Sequence, residues 1–184
     1  NPTMVANDLC ANATSLGTIS GTCNYITASN AHNTKTAATG PTCAVADTGD
    51  VWFSFIKPAG VNGVTITTAP VTCPLAMTGT TVELYTSCGG TPVACSTTGT
   101  TFPTYGQLTA GRSCLVETLY VRVTGDNNKY GKFQICATTS SGPFTSLGTT
   151  CSDAQYICSL PFTQNGMITA GAGNEYDSLN AQCH

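Results

Sequence analysis

The chain has 184 residues, a formal net charge of −3 and 11 cysteines, and only 8% of its residues are charged. Ordinary soluble domains carry about 25% charged residues. The few lysines and arginines are scattered along the chain, so they cannot form the basic face that binding to nucleic acid requires. No window approaches the roughly 20 apolar residues of a membrane-spanning helix, so we expect no membrane insertion.

The cysteines indicate the compartment of the protein. None of them form the C-x-x-C pairs that are typical of metal-binding or redox-active cytosolic proteins, so we expect disulfides and an oxidising, extracellular setting. His32 and His184 are the only histidines, which argues against a zinc site. No charged and apolar leader opens the chain, so we interpret it as a soluble, mature or excised segment.

Short stretches of alternating apolar and polar residues run through the first three quarters of the chain. Threonine dominates the polar positions, and its branched Cβ favours strands over helices. Clear strands are predicted over residues 50–57, 63–68, 82–85, 119–124 and 132–137. Weaker strands are expected near residues 22–28, 93–95 and 106–108, and a hairpin connection at residues 125–131. This pattern predicts an all-β protein built as an antiparallel β-sandwich.

Each clear strand presents one apolar face, and the residues on these faces should form the core of the sandwich because side chains alternate with a period of two. The predicted core residues are Val51, Phe53, Phe55, Val64, Ile66, Val82, Leu84, Leu119, Val121, Val123, Phe133 and Ile135. Trp52 lies on the opposite face of its strand together with Ile56. Since both faces of this strand carry bulky apolar groups, we expect Trp52 to pack inside the protein rather than to form a binding platform.

The composition divides the chain into three parts. Residues 1–138 form the predicted β-sandwich module, and residues 139–150 have the Ser, Thr, Gly and Pro composition of a linker. Residues 151–184 then repeat the start of the module, because CANA at residues 10–13 is echoed by CSDA at residues 151–154. Cys43 follows Cys10 by 33 residues, and Cys183 follows Cys151 by 32. Residues 151–184 are therefore predicted to be the opening strands of a second, partial module.

Several segments of the first module resemble a known family. They are NDLCANA at residues 7–13, GDVWFSF at 49–55, ELYTSCGGTPVAC at 83–95, LTAG at 108–111 and YVRVTG at 120–125. In this order they resemble the pre-peptidase C-terminal-like (PPC) β-sandwich modules of secreted and cell-surface Bacteroidetes proteins, which are often cargo of type IX secretion. The resemblance implies a jelly-roll-like sandwich with a non-catalytic accessory, adhesive or spacer role, and it supplies no active-site residues.

The cysteines allow a disulfide map to be predicted. The chain departs from the family pattern by an insertion at residues 112–117 that contains Cys114, and Cys73 is also additional, so these two are expected to bond to each other. Cys151 lacks its last-strand partner in the partial module and is left unpaired. The other predicted bridges are Cys10–Cys136, Cys23–Cys43, Cys88–Cys95 and Cys158–Cys183.

No catalytic constellation is visible in the sequence. A Ser-His-Asp arrangement needs a histidine between a nucleophile and an acid, but His32 lies in a polar loop and no G-x-S-x-G motif occurs. Glu83 and Glu117 lie in or beside strands, where we expect outward, solvated carboxylates rather than a glycosidase pair. The chain is therefore predicted not to be an enzyme, and no cofactor is expected.

Other candidate sites are weaker. Asp47, Asp50 and Asp126 lie in oxygen-rich loops that suit calcium, but the same residues commonly bond to backbone N–H groups in turns. Asn12 fits the N-glycosylation pattern, and Ser178 lies in a tripeptide that resembles the Bacteroidetes O-glycosylation motif. Both residues are therefore possible modification sites.

Three functions are consistent with these observations. The first is a binding or adhesive module of a secreted or cell-surface protein, whose loops contact a glycan or a protein. The second is a subunit of an extracellular filament, in which another chain completes the partial second module by strand complementation. The third is an accessory domain of a secreted peptidase.

Overall fold

The computed structural model describes residues 6–35, 49–61, 63–72, 76–77, 79–96, 115–125 and 129–139. These ranges contain one short 3-10 helix, Cys10–Asn12, and no helix that is long and apolar enough to cross a membrane. Their β-strands are β1 (Thr14–Thr18), β2 (Ile26–Ser29), β3 (Asp50–Lys57), β4 (Val64–Pro70), β5 (Thr80–Tyr85), β6 (Ala94–Cys95), β7 (Glu117–Gly125) and β8 (Lys132–Thr139).

The strands form two sheets. Sheet A has the strand order β1-β3-β7-β5-β6, and sheet B has the order β2-β8-β4. Neighbouring strands are antiparallel, except that β1 and β3 are parallel. The predicted all-β sandwich is confirmed, whereas β1 and its parallel pairing were not predicted from the sequence.

The core lies between the two sheets. All twelve predicted core residues are buried there, because each lies on the inward face of its strand. The rings of Phe53 in sheet A and Phe133 in sheet B meet edge to face, with centroids 6.2 Å apart. The hydroxyls of Thr68 and Thr80 also hydrogen-bond across the buried space, at 2.7 Å. Both apolar packing and a polar contact therefore join the sheets.

Strand directions bring several connections to one end of the sandwich. β2 and β7 end there, and β3 and β8 begin there. We call residues 30–34, Gly49 and 129–131 the loop end. β8 runs away from it, and at the opposite end the Thr139 amide donates to the Ser20 carbonyl at 2.8 Å.

Two disulfides correct the predicted map. Cys10 bonds to Cys88, with Cα atoms 5.7 Å apart, so the predicted Cys10–Cys136 and Cys88–Cys95 bridges are wrong. The reason is that the segment before β1 crosses the outer face of sheet A and reaches the β5–β6 connection, which the sequence does not reveal. Cys95 is also disulfide-bonded.

Cys23 bonds to Cys136, with Cα atoms 5.5 Å apart, so the predicted Cys23–Cys43 bridge is wrong. Cys23 lies three residues before β2, and the pairing of β2 with β8 brings this segment close to Cys136. The predicted Cys73–Cys114 and Cys158–Cys183 bridges and the unpaired Cys151 lie outside the described residues. So do the weak strand at 106–108, residues 140–150 of the predicted linker and the partial second module. Thr139, which was placed in the linker, is the last residue of β8.

Candidate functional site

Asn30 joins the segments of the loop end. Its side chain is fully buried, and its amide group donates to the carbonyls of Gly49 at 3.2 Å and Lys129 at 3.1 Å. The side-chain oxygen accepts from the Gly131 amide at 2.9 Å. A single asparagine therefore ties the end of β2 to the start of β3 and to the β7–β8 connection. β7 and β8 lie in different sheets, so the predicted hairpin at residues 125–131 is wrong: this connection crosses from sheet A to sheet B.

The adjacent turn holds His32 in an uncommon backbone conformation. The Asn33 amide donates to the Asn30 carbonyl at 3.3 Å, and His32 occupies the third position of this turn with a φ of 69°. This left-handed region usually requires glycine at that position of a type II turn. The His32 side chain is exposed. Its outward position is thus set by the backbone of the turn.

Two further side chains hold this turn in place. The Asn33 amide group donates to the Asp50 carbonyl at 2.7 Å. The Asp8 carboxylate accepts from both the backbone amide and the hydroxyl of Thr34, each at 2.7 Å. The buried Asn33 side-chain oxygen has no hydrogen-bond partner within the described residues. An unpaired buried acceptor and a left-handed histidine therefore occur in one turn, and unfavourable local features of this kind concentrate at functional sites.

Tyr130 supplies an aromatic side chain to the loop end. It is 46% exposed, and its ring lies against Gly49. A Cβ at Gly49 would lie 3.0 Å from the Tyr130 ring and 2.8 Å from the Asn33 carbonyl oxygen, so glycine is required for this close packing. The turn that carries His32 and the β7–β8 connection that carries Tyr130 are therefore packed together.

The loop end exposes aromatic and polar side chains next to each other. It presents an aromatic ring together with the exposed polar side chains of His32 and Lys129. Small-ligand sites combine such apolar surface with a few fixed polar groups. No described residue hydrogen-bonds to the His32 ring, so the described residues contain no nucleophile–base pair built on this histidine.

A second polar cluster lies on the outer face of sheet A, and it is buried. Arg122 binds the carboxylate of Asp50 through Nε and that of Glu83 through Nη1, the latter at 3.1 Å. The Tyr85 hydroxyl donates to the same Glu83 oxygen at 2.7 Å. Burial, reinforced by the Glu83 hydrogen bond, raises the pKa of Tyr85. The prediction that Glu83 is solvated is therefore wrong, because its position on the outer face is covered.

The outer face of sheet A is covered in part by residues 7–13, which we call the N-terminal segment. Trp52 packs with Cys10 and Tyr85, and the Trp52 and Tyr85 ring centroids are 5.1 Å apart. The Trp52 amide donates to the Asn7 carbonyl at 2.8 Å, and the Asn7 side chain donates to the Trp52 carbonyl at 3.0 Å. Trp52 is buried, as predicted. This face is therefore interior and not a binding surface.

Lys57 organises the end of the sandwich opposite the loop end. Its ammonium group donates to the carbonyls of Pro58, Val61 and Leu115 at 3.5, 3.2 and 2.8 Å. Burial lowers the pKa of Lys57, and the Glu117 carboxylate 3.8 Å away opposes this effect. Glu117 is half-buried beside Lys57, so its predicted outward, solvated position is wrong. Both residues hold connections in place.

The other predicted site residues are dispersed. Asp50 uses its carboxylate to bind Arg122, so the structure gives it a role in the interior instead of in an oxygen-rich loop. Asn12 is exposed in the 3-10 helix. Asp47, Asp126 and Ser178 lie outside the described residues. Within the described part of the chain, no group of three His, Cys, Asp or Glu residues could hold a metal ion.

Tyr130, Asn30 and Asn33 were not predicted from the sequence as parts of a site. The only available signal was the polar composition of residues 29–34 and of residues 125–131. Nothing in the sequence shows that these two loops meet, because their contact follows from the pairing of β2 with β8 and of β3 with β7.

The chain is similar to a known protein family and to a solved domain structure. A family model for type IX secretion (T9SS)-associated modules, described as galactose binding domain-like, matches residues 6–135. No curated protein matches the chain. Among solved structures, the pre-peptidase C-terminal domain of collagenase from Bacillus anthracis is similar over 68% of this chain and 94% of that chain, with 12% sequence identity and a TM-score of 0.40.

Proposed function

Because the chain belongs to the family of T9SS-associated, galactose-binding-domain-like modules, we propose that it is a non-catalytic module that binds glycans through the loop end. The exposed ring of Tyr130 provides a stacking surface for a sugar, and His32 and Lys129 provide hydrogen-bond donors or acceptors beside it. The protein that carries the module is secreted or displayed at the cell surface.

The observation that carries this proposal is the rigid support of the loop end. Asn30 alone fixes three backbone segments through three hydrogen bonds. Preorganised side chains lose little conformational freedom when a ligand binds, which increases affinity for a weakly held ligand such as a sugar. The left-handed His32 adds to the argument, since a strained residue persists where the surroundings determine its position.

The direction of the chain also supports this site. β8 leaves the loop end and reaches the opposite end of the sandwich at Thr139, so the following residues begin about one strand length away from the loop end. We propose that residues 140–150 are a linker and that residues 151–184 begin a second module. In this arrangement the loop end of the first module stays accessible to a ligand.

A glycan array followed by calorimetry tests the proposal. The full 184-residue chain should bind a subset of immobilised galactosides or related glycans, and a soluble form of the best one gives the dissociation constant. Tyr130→Ala should weaken binding about tenfold, or about 1.4 kcal/mol, because it removes the stacking surface.

Tyr25 provides the matched control for this experiment. It is 44% exposed, close to the exposure of Tyr130, but it precedes β2 and so lies toward the opposite end. Tyr25→Ala should leave the affinity unchanged. The proposal fails if no glycan binds at millimolar concentration, or if the two tyrosine variants lose affinity equally.

A further inference from the structure

A cleft opens on one side of the sandwich, between the edge strands of the two sheets. It has a volume of about 460 Å³ and lies between β1 of sheet A and β2 of sheet B. Apolar lining comes from Phe53, Ile26 and Ala28, and polar lining comes from Asn7 and Thr14. The glycan site described above uses none of these residues.

The backbone of β2 turns hydrogen-bonding groups toward this cleft. The Asn30 amide bonds to the Gly131 carbonyl, whereas the Lys132 carbonyl turns away from β2 and accepts from the Met77 amide. Bonded and non-bonded pairs alternate along an antiparallel ladder. The N–H and C=O groups of Thr27 and Ser29 therefore point to the outer edge of β2, where the described residues offer them no partner.

The edge of β2 lacks the features that usually block strand addition. Its sequence, ITAS, contains no charge and no proline, and its register with β8 is unbroken over all four residues. Native edge strands are commonly protected by lysine, proline or a bulge. β1 is less suitable, since its register shifts between Ser15 and Thr18 and Gly17 has a φ of 77°. The regular edge is thus that of β2.

One charged residue faces the cleft. Among the described residues that line it, only Lys132 is charged, and Lys132 and Thr27 also line a neighbouring depression of about 390 Å³. The Lys132 side chain is exposed and forms no ion pair with any described residue. An exposed ammonium group at the junction of two depressions favours an anionic group on whatever binds there.

We propose that the β2 edge binds an extended peptide that carries a carboxylate. The peptide adds as a strand beside β2, bonds to the outward backbone groups of Thr27 and Ser29, and places its carboxylate against Lys132. β2 is four residues long, so the contact extends over about 13 Å. This site is independent of glycan binding at the loop end.

Selection from a phage-displayed library of random heptapeptides on the full chain provides the probe. Recovered peptides should contain aspartate or glutamate within a β-branched sequence, and fluorescence anisotropy with a synthetic copy gives its affinity. Recovery of no peptide, or of peptides without an acidic residue, would overturn the proposal. So would concentration-dependent dimerisation of the chain through this edge, because a second copy would then be the occupant.

Two variants locate the binding. Thr27→Pro removes an outward N–H without removing a bond to β8, and proline is tolerated at such edge positions. It should weaken peptide binding at least about tenfold while the melting temperature changes by no more than a few degrees. Lys132→Gln should abolish the preference for the acidic peptide over its glutamine analogue. Unchanged binding to a folded Thr27→Pro chain, or an unchanged preference in Lys132→Gln, would contradict the proposal.

Discussion

Two asparagines at the loop end show how identical side chains differ in their surroundings. Asn30 satisfies its donors and its acceptor with backbone groups of two other segments, at Gly49 and at residues 129–131. Asn33 satisfies a donor through the Asp50 carbonyl, but its buried oxygen has no partner among the described residues. A buried unsatisfied acceptor destabilises a protein by about 1–3 kcal/mol. The stable anchor and the unfavourable group thus lie three residues apart, on either side of His32.

Replacement of His32 by glycine should change the stability of the protein and its affinity for glycans in opposite directions. A left-handed backbone is unfavourable for a side chain with a Cβ but not for glycine, so His32→Gly should raise the free energy of unfolding by about 0.5–1 kcal/mol. The same variant should weaken glycan binding because the imidazole is lost. Urea denaturation measures the first effect and calorimetry the second. His32→Ala is the control, as it keeps the backbone strain and should not increase stability; a decrease in stability in His32→Gly would contradict the account.

At the scale of single elements, the two faces of sheet A are buried by different partners. The inner face of β3, β7 and β5 packs on sheet B. The outer face carries Trp52, Tyr85 and the Arg122 ion pairs beneath a cover that includes the N-terminal segment. Arginine with two carboxylates is buried here with hydrogen bonds to each, as a buried charge requires. The Cys10–Cys88 disulfide then holds this cover on the sheet.

Removal of that disulfide should be visible through the single tryptophan. Loss of a bridge that spans 78 residues should destabilise the chain by about 4–5 kcal/mol. In a Cys10→Ala/Cys88→Ala chain, the N-terminal segment should separate from sheet A before the sheets unfold. Trp52 would then be exposed to water, and its fluorescence should shift to longer wavelength. Fluorescence and far-ultraviolet circular dichroism, recorded on the same thermal ramp, compare the two events.

The second disulfide provides the control for this prediction. Cys23–Cys136 spans 113 residues and joins the segment before β2 to β8, on the other sheet. Its removal should destabilise the chain by a similar amount, but Trp52 emission should then change together with the circular dichroism. If Trp52 emission and circular dichroism change in the same order in both variants, the N-terminal segment does not depend on the Cys10–Cys88 disulfide for its position.

At the scale of the whole molecule, the strand pattern was predictable and the long-range contacts were not. The bounds of β3 and the twelve core residues follow from alternation, because the faces of a strand are set by a period of two. The pairing of β2 with β8 and the path of the N-terminal segment depend on tertiary packing. For this reason the disulfide partners of Cys10 and Cys23 and the burial of Glu83 were predicted wrongly.

The candidate site was predictable only as two polar loops. The family resemblance implied an adhesive role, for which a glycan or a protein was the expected ligand. The sequence contains Tyr130 and His32, but no local pattern shows that their loops meet. The two loops meet because β2 pairs with β8 and β3 pairs with β7, and the two strands of each pair are distant in the sequence. A candidate site built from the ends of four strands cannot be identified from local sequence patterns alone.

The central claim is that the loop end of this sandwich binds glycans. Nuclear magnetic resonance of the ¹⁵N-labelled full chain, titrated with the glycan selected on the array, tests it most directly. The account predicts that the largest saturable shifts of amide signals occur at residues 30–34, Gly49 and residues 129–131. Largest shifts at the opposite end, near Lys57 and Leu115, or an absence of saturable shifts, would contradict it.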